Sequence, residues 1–368
     1  MFRLARRNLF QNMTQFLMGV GGVTLALLLM LSLDALLAGS EEDLVAYIEG
    51  AGADIFVAQD GVKNMHMASS AITRRDLSRA ARAEGIASAS PILYTTSIIE
   101  IGDADVLSYI IGYDPRMPLG GPRSVVAGSA IVHYDEAIID QAVARTQGIW
   151  LGDEVDIFGE TFTVVGITRG LTNIANSISF IHYRDFEALR PGNALSYGLL
   201  EVAPGYDAEA VARAITAADE DVNALTRADF SREERQIVSD MSVEILTIMN
   251  LSGFLIGLAV TALTLYTATL NKRREYGVLK AIGARNRQLY GVVIAQAFLS
   301  LGFGFAVAVG LVELLSVILP GLVPGVGVAL TLEGVTRVLV SSLVIGTISA
   351  LASAIQVARL DPARVFRG

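Results

Sequence analysis

Four long apolar runs, at residues 16–38, 245–270, 289–319 and 335–358, constrain this chain more than any motif. Each reaches or exceeds the roughly 20 residues that an α-helix needs to cross about 30 Å of hydrocarbon. Lipid offers no hydrogen bonds to the backbone, so runs of this kind are predicted to be transmembrane helices. A hydrophobic fraction of 52% and a mean hydropathy of +0.51 agree, being too apolar for an ordinary soluble surface. Between the first two runs lies a polar stretch of about two hundred residues, too long for a loop and long enough for a domain.

The positive charges predict the orientation. Arg3, Arg6 and Arg7 precede the first run, six basic residues from Lys272 to Arg287 separate the second from the third, and Arg359, Arg364 and Arg367 follow the fourth. All three places fall on one side of the membrane, and the positive-inside rule makes that side cytoplasmic. Residues 39–240 hold 15 basic against 31 acidic residues, so the net charge of −9 joins two opposite halves. An acidic domain of this sort is a poor partner for nucleic acid. The expected layout is a cytoplasmic amphipathic segment at 1–15, a first span at 16–38, an exoplasmic domain at 39–240 and a second span at 241–270. A cytoplasmic loop at 271–288 follows, then a third span at 289–319, a short exoplasmic loop at 320–334, a fourth span at 335–358 and a cytoplasmic tail at 359–368. The basic start, apolar core and small-residue "ALLAGS" also resemble a secretory signal. The apolar run from Phe16 to Leu37 is longer than a signal core, which favours an uncleaved anchor, and the chain has no cysteine for lipid attachment, disulfides or thiolate metal sites.

Within 39–240, "ADIFVAQDG" and "DEVDIFGETFTVVGITRG" carry the β-branched and aromatic residues and the turn residues of strands and hairpins. "TRRDLSRAARAEG" and "DAEAVARAITAADE" instead place apolar residues three and four apart, as helices do. The predicted fold class is thus membrane α-helical, four spans arranged 1+3 around a large α+β exoplasmic domain.

The stretch "NKRREYGVLKAIGARNRQLYG", 271–291, interrupts the apolar sequence with charge. Glu275 to Ile282 fit a short helix, which Gly283 can end by adopting the left-handed conformation. Arg273, Lys280 and Arg287 recur every seven residues and Val278 and Ile282 are four apart, which predicts one basic and one apolar surface. Such an element suits insertion into a groove of a soluble partner; the simpler alternative is a topology signal alone.

No engine is encoded. A phosphate-binding G-x-x-x-x-G-K-[ST] loop needs a Gly-Lys pair, which the chain lacks, and neither G-x-S-x-G nor H-E-x-x-H occurs. Neither a catalytic residue nor a metal site is assigned. "NMHMASS", 64–70, places thioethers on either side of His66, soft ligands that suit copper or haem iron. Three consecutive residues in an extended segment do not converge on one site, and methionine commonly serves as adaptable packing; whether Met65, His66 and Met67 bind a metal or haem stays open. Near the outer span ends lie Asp34, Glu244, Glu313, Glu333 and Arg337. Such acids are costly in hydrocarbon and should face the interface, one another or water. Asp34 and Glu244, with Met30, Met241 and Met249, are the candidate lining of an outward cleft for an amphiphile. Gly19, Gly21, Gly22, Gly302, Gly304 and Gly310 are expected to permit close helix packing.

"NKRREYGVLKAIGARNRQL" resembles the cytoplasmic signature of the MacB-like ABC transporter permeases, the FtsX-like family. "EAIIDQAVARTQGIWLGDEVDIFGETFTVVGITRG" is similar to their periplasmic core, and "RLDPARVFRG" to their closing segment. The resemblance implies a permease without cofactor of its own, coupled to a separate ABC ATPase that carries ATP and Mg2+. Arg273, Arg274, Glu275, Val278, Leu279, Lys280, Ile282, Gly283 and Arg287 would form the coupling element. It further implies a homodimer or a pair with a paralogous permease, location in a bacterial inner membrane, and in some systems a periplasmic adaptor. Implied cargoes are amphiphilic: lipid-like molecules, peptides, drugs, haem or lipoproteins. The alternative it offers is an FtsX-like mechanotransmitter acting on an exoplasmic cell-wall hydrolase.

Overall fold

The computed structural model describes residues 13–102, 104–173, 176–192, 194–323 and 325–358. The expected cytoplasmic tail, and all but the end of the expected N-terminal segment, lie outside these residues. The chain divides into two units, one of residues 1–38, 242–318 and 328–368, the other of 39–241 and 319–327.

Among the described residues, four helices that lie wholly or largely in the first unit are long and apolar enough to cross a membrane. They are α1 (Met13–Gly50), α6 (Arg227–Asn271), α8 (Asn286–Leu322) and α9 (Leu332–Ala358). α1 passes into the second unit after Ala38 and α6 leaves it after Met241. Each is longer than its expected span. At 1.5 Å per residue, the 45-residue α6 runs about 68 Å, roughly twice a hydrocarbon core. Its first turns, with Arg227, Asp229, Arg232 and Glu233, are charged and lie in the second unit. The apolar count alone shows only where the hydrocarbon begins, which is why 241 does not mark the helix start.

Val23, Leu27, Met30 and Leu31 of α1 pack with Leu301, Ala308 and Val312 of α8 and Val338 and Ile345 of α9. Small residues admit these approaches. A Cβ added at Gly19 would fall 2.6 Å from Thr264 Cγ2, one at Gly304 2.8 Å from Val23 Cγ1, and one at Gly22 would overlap Val260. Within this chain no atom lies within 4 Å of a Cβ added at Gly21, Gly302 or Gly310.

The second unit is α+β. Its strands in chain order are β1 (Ile55–Gln59), β2 (Ile72–Thr73), β3 (Ile86–Ile101), β4 (Ala104–Tyr113), β5 (Val125–Gly128) and β6 (Glu136–Asp140). β7 (Glu154–Ile157), β8 (Glu160–Thr168), β9 (Ser177–His182), β10 (Ala194–Leu195), β11 (Tyr197–Val202) and β12 (Val222–Thr226) complete them. Ten form one mixed sheet in the order β12-β1-β11-β3-β4-β9-β6-β8-β5, with β7 pairing to β3 and β8. β4–β9 and β6–β8 are parallel. The period-2 pattern feeds two cores: Ile55 and Val57 enter one, Phe56 and Ala58 the other. The first core is completed by α2 (Arg74–Ala80) and α5 (Ala208–Ala218) through Leu77, Val211 and Ile215. The second takes Val45, Tyr47 and Ile48 from α1 and Phe230 from α6, whose ring stacks on Phe56 at 4.9 Å. The expected hairpin closes through Phe158 and Gly159, both at positive φ, with Ile157 opposite Glu160. Phe158 is held in this unusual conformation by packing on Phe186 and beneath the Arg190 guanidinium.

Candidate coupling site

The basic stretch folds into a helix, α7 (Arg273–Ala281), two residues earlier at its start and one earlier at its end than its sequence suggests. It follows α6 after a bend at Lys272, where the backbone leaves helical geometry (φ −97°, ψ 10°) yet its N–H still donates to Ala268 and its carbonyl accepts from Tyr276. The Lys272 ammonium is largely buried, and burial lowers its pKa. At the other end, Gly283 sits at φ 97°. Its N–H donates to Lys280 O and the Ala284 N–H to Leu279 O, which together make a Schellman motif. Gly283 thus ends the helix as its sequence position predicts. α8 then starts with Gln288 Oε1 accepting from the Arg285 N–H at 3.0 Å, half of a capping box.

These ends fix the faces. Tyr276 is 1% exposed and packs with Leu289 and Val293 of α8, with Leu279 beside it. Burial pushes its phenol up to about 12, so it stays neutral across physiological pH. The opposite side carries Val278 and Ile282, 45% and 76% exposed. Arg273, Arg274 and Glu275 are exposed, and Lys280 is half-buried. The seven-residue spacing does not extend to Arg287, because the turn at Gly283 puts it on α8. The basic surface therefore has two parts, with Ile282 at their junction. Tyr276 is the residue that sequence reading missed; its spacing of three from Leu279 was the available signal.

Of the candidate outer-cleft residues, Met30 and Asp34 are buried and Glu244 and Met249 are exposed. Met30 is buried in the helix core, where it packs against Gly253. Asp34 is also buried, with its Oδ1 3.4 Å from Arg337 Nη1 and from Asn250 Nδ2, while Arg337 Nη2 lies 2.9 Å from Glu333 Oε1. Asp34 Oδ2 and Asn250 Oδ1 have no hydrogen-bond partner among the described residues. Glu244 and Met249 are exposed, and the Met241 side chain lies outside the described atoms.

In the second unit, Met65 and Met67 point apart: Met65 is buried and Met67 is 68% exposed. His66 Nδ1 lies 2.5 Å from the fully buried Glu234 of α6, which also accepts the Met65 N–H at 2.6 Å. Among the described residues, no cluster of three His, Cys, Asp or Glu has metal-binding geometry. Glu234 thus ties the 64–67 segment to α6.

Two family models cover most of the chain: the MacB-like periplasmic core domain matches residues 16–218 and the FtsX-like permease C-terminal domain residues 247–362. Rv2563 of Mycobacterium tuberculosis, an uncharacterized ABC transporter permease, is 26% identical over 348 residues, 94% of this chain and 93% of its own. HrtB of Staphylococcus epidermidis, named as a permease protein of a hemin transport system, is 25% identical over 227 residues, 60% of this chain and 61% of its own. The periplasmic region of MacB from Actinobacillus actinomycetemcomitans superposes with a TM-score of 0.38 at 12% identity, over 50% of this chain and 94% of that one. With a periplasmic-core model over more than half its length and a permease model over its last three apolar helices, the chain belongs to the MacB-like, FtsX-like family of ABC transporter permeases.

Proposed function

We propose that the chain is the membrane subunit of an exporter or extractor of amphiphiles, driven by a separate ABC ATPase that docks on α7. The observation that carries this reading is the pair Val278 and Ile282, apolar and exposed on a short helix whose other side is anchored by Tyr276. Two exposed aliphatic side chains within a basic surface are what a groove with an acidic rim would receive. α6 continues from the core domain to Asn271 and joins α7 through one bend, so a displacement of α7 has a helical path to the domain. The working unit in this reading is a dimer with two ATPases, α7 and both termini cytoplasmic and the core domain exoplasmic in a bacterial inner membrane. Hemin, named for HrtB, is one candidate within the amphiphilic class.

Two experiments test the reading. In this cysteine-free chain, a cysteine at Asn286 should resist an impermeant reagent in intact cells and react in inverted vesicles; the reverse overturns the orientation. Reconstituted with its cognate ATPase, the protein should hydrolyse ATP faster when an amphiphile such as hemin or a lipopeptide is added. Hydrolysis that ignores every amphiphile but switches on a cell-wall hydrolase would establish the mechanotransmitter instead.

A further inference from the structure

The second unit contains a cleft of about 660 Å³, within the usual range for small-molecule sites, between α3 (Gln141–Gln147), the end of β8 and residues 320–322 and 325–327. Its floor is built around a carboxylate that is already saturated. Asp140 is 1% exposed; its Oδ1 accepts from the Ala142 N–H and Thr172 Oγ1, and its Oδ2 from the Leu171 N–H and Thr168 Oγ1. The cleft's other acid, Asp43, accepts a hydrogen bond from the Gly327 backbone. Asp140 is therefore committed to holding the wall, and Asp43 ties α1 to Gly327. Gly325 and Gly327 lie close against these walls: a Cβ at Gly327 would sit 2.5 Å from Asp43 Oδ2, and Gly325, at φ 80°, would place one 2.7 Å from Asn173 O.

The two cations of the cleft differ from the acids. Arg145 and Arg169 are exposed, and neither has a carboxylate partner among the described residues. Arg169 Nε donates to Gln141 Oε1 at 3.1 Å, which orients one guanidinium and leaves its other nitrogens available. The same cleft is lined by Pro320 and Leu322, at the end of α8, and by Val326 beyond it. A cleft lined both by two guanidinium groups and by apolar side chains matches a ligand with an anionic head and a hydrocarbon body.

We infer that this cleft binds the phosphate-bearing head of an anionic amphiphile through Arg145 and Arg169, with the start of its hydrocarbon body against Pro320, Leu322 and Val326. Head recognition here requires neither ATP nor α7, so the inference goes beyond the transport reading and stands or falls separately.

The test uses the full chain in neutral detergent, with native mass spectrometry to count bound lipid. Phosphatidylglycerol should bind more tightly than phosphatidylcholine. R145Q/R169Q should weaken phosphatidylglycerol binding by at least about tenfold, the loss of two charge-assisted contacts, and weaken phosphatidylcholine, whose choline offsets the phosphate charge, by less. The charge-matched variant R82Q/R213Q, changed at two exposed arginines of the same unit that do not line the cleft, should bind like the wild type. Equal losses in the two double variants, or none in R145Q/R169Q, overturn the site. Inorganic phosphate that displaces the lipid at comparable concentration would show a site for a free anion and overturn the amphiphile.

Discussion

Replacing Tyr276 with Ala should release α7 from α8. The ring is 1% exposed and meets Leu289 and Val293, themselves buried. Truncating a buried aromatic to Ala costs about 3–5 kcal/mol, and here the whole cost falls on one short helix, whose only other inward apolar residue is the half-buried Leu279. A local loss of about 3 kcal/mol raises the undocked population roughly a hundredfold. Arg273, Arg274 and Lys280 lie within this helix, so tryptic cleavage reports the opened state when cleavage is slower than reclosing. We expect Y276A to be cut in this segment about a hundredfold faster than the wild type. Y276F, which keeps the ring, should stay within about tenfold of it. Unchanged cleavage of Y276A would refute the claim that Tyr276 anchors the helix.

Three further outcomes follow from the rest of the molecule. D34N should alter amphiphile-stimulated ATP hydrolysis more than E244A or E313A, because Asp34 is buried beside Arg337 and Asn250 whereas Glu244 and Glu313 are exposed; equal, negligible effects on ATPase rate would reduce Asp34 to an interfacial charge. E234A should destabilise the protein by about 2–4 kcal/mol in denaturant titrations, since it strips the His66 ring and the Met65 N–H of a buried acceptor; a loss under about 0.5 kcal/mol contradicts this. His182 caps α4 (Tyr183–Leu189) by accepting the Arg184 N–H on Nδ1, and burial lowers its pKa, against Asp185 and Asp114 and with Arg116 and Arg184 nearby. A base whose pKa falls on folding contributes stability above its unfolded pKa of about 6.5 and loses it as pH drops toward the folded value, so thermal stability should fall between pH 7 and 6 less steeply in H182N than in the wild type. Identical pH profiles would remove His182 from that account.

The fold class was legible because its signals are local. Span lengths, the strand alternation of "ADIFVAQDG" and the helical spacing of "DAEAVARAITAADE" need no knowledge of distant residues. The extents were less legible: α6 runs from Arg227 because tertiary packing of Phe230 on Phe56 supports a charged helix segment that hydropathy cannot detect. At α7, the helix end at Gly283 and the apolar pair were readable from spacing, but the burial of Tyr276 depends on which face meets α8. The link from Asp34 to Arg337 spans 303 positions and has no sequence signature. The same holds for the cleft, where Arg145, Arg169 and Leu322 meet only through the fold of the second unit.

The central claim is that Val278 and Ile282 are the apolar contact by which this permease holds its ATPase. Replacing both with Asp would place two carboxylates in the partner's groove without counter-charges, a cost of several kcal/mol in binding, while the same side chains, exposed in this chain, leave its own fold intact. Neutralising Lys280 and Arg287 should do less, because rim charges are screened by salt and act chiefly on association rate. The decisive measurement is copurification of the cognate ATPase with V278D/I282D, K280Q/R287Q and wild-type permease, each confirmed to reach the membrane as a single species. The account predicts that the double Asp variant loses the ATPase and the double Gln variant retains most of it. Wild-type ATPase retention by V278D/I282D would contradict the account and leave the basic stretch as a topology signal alone.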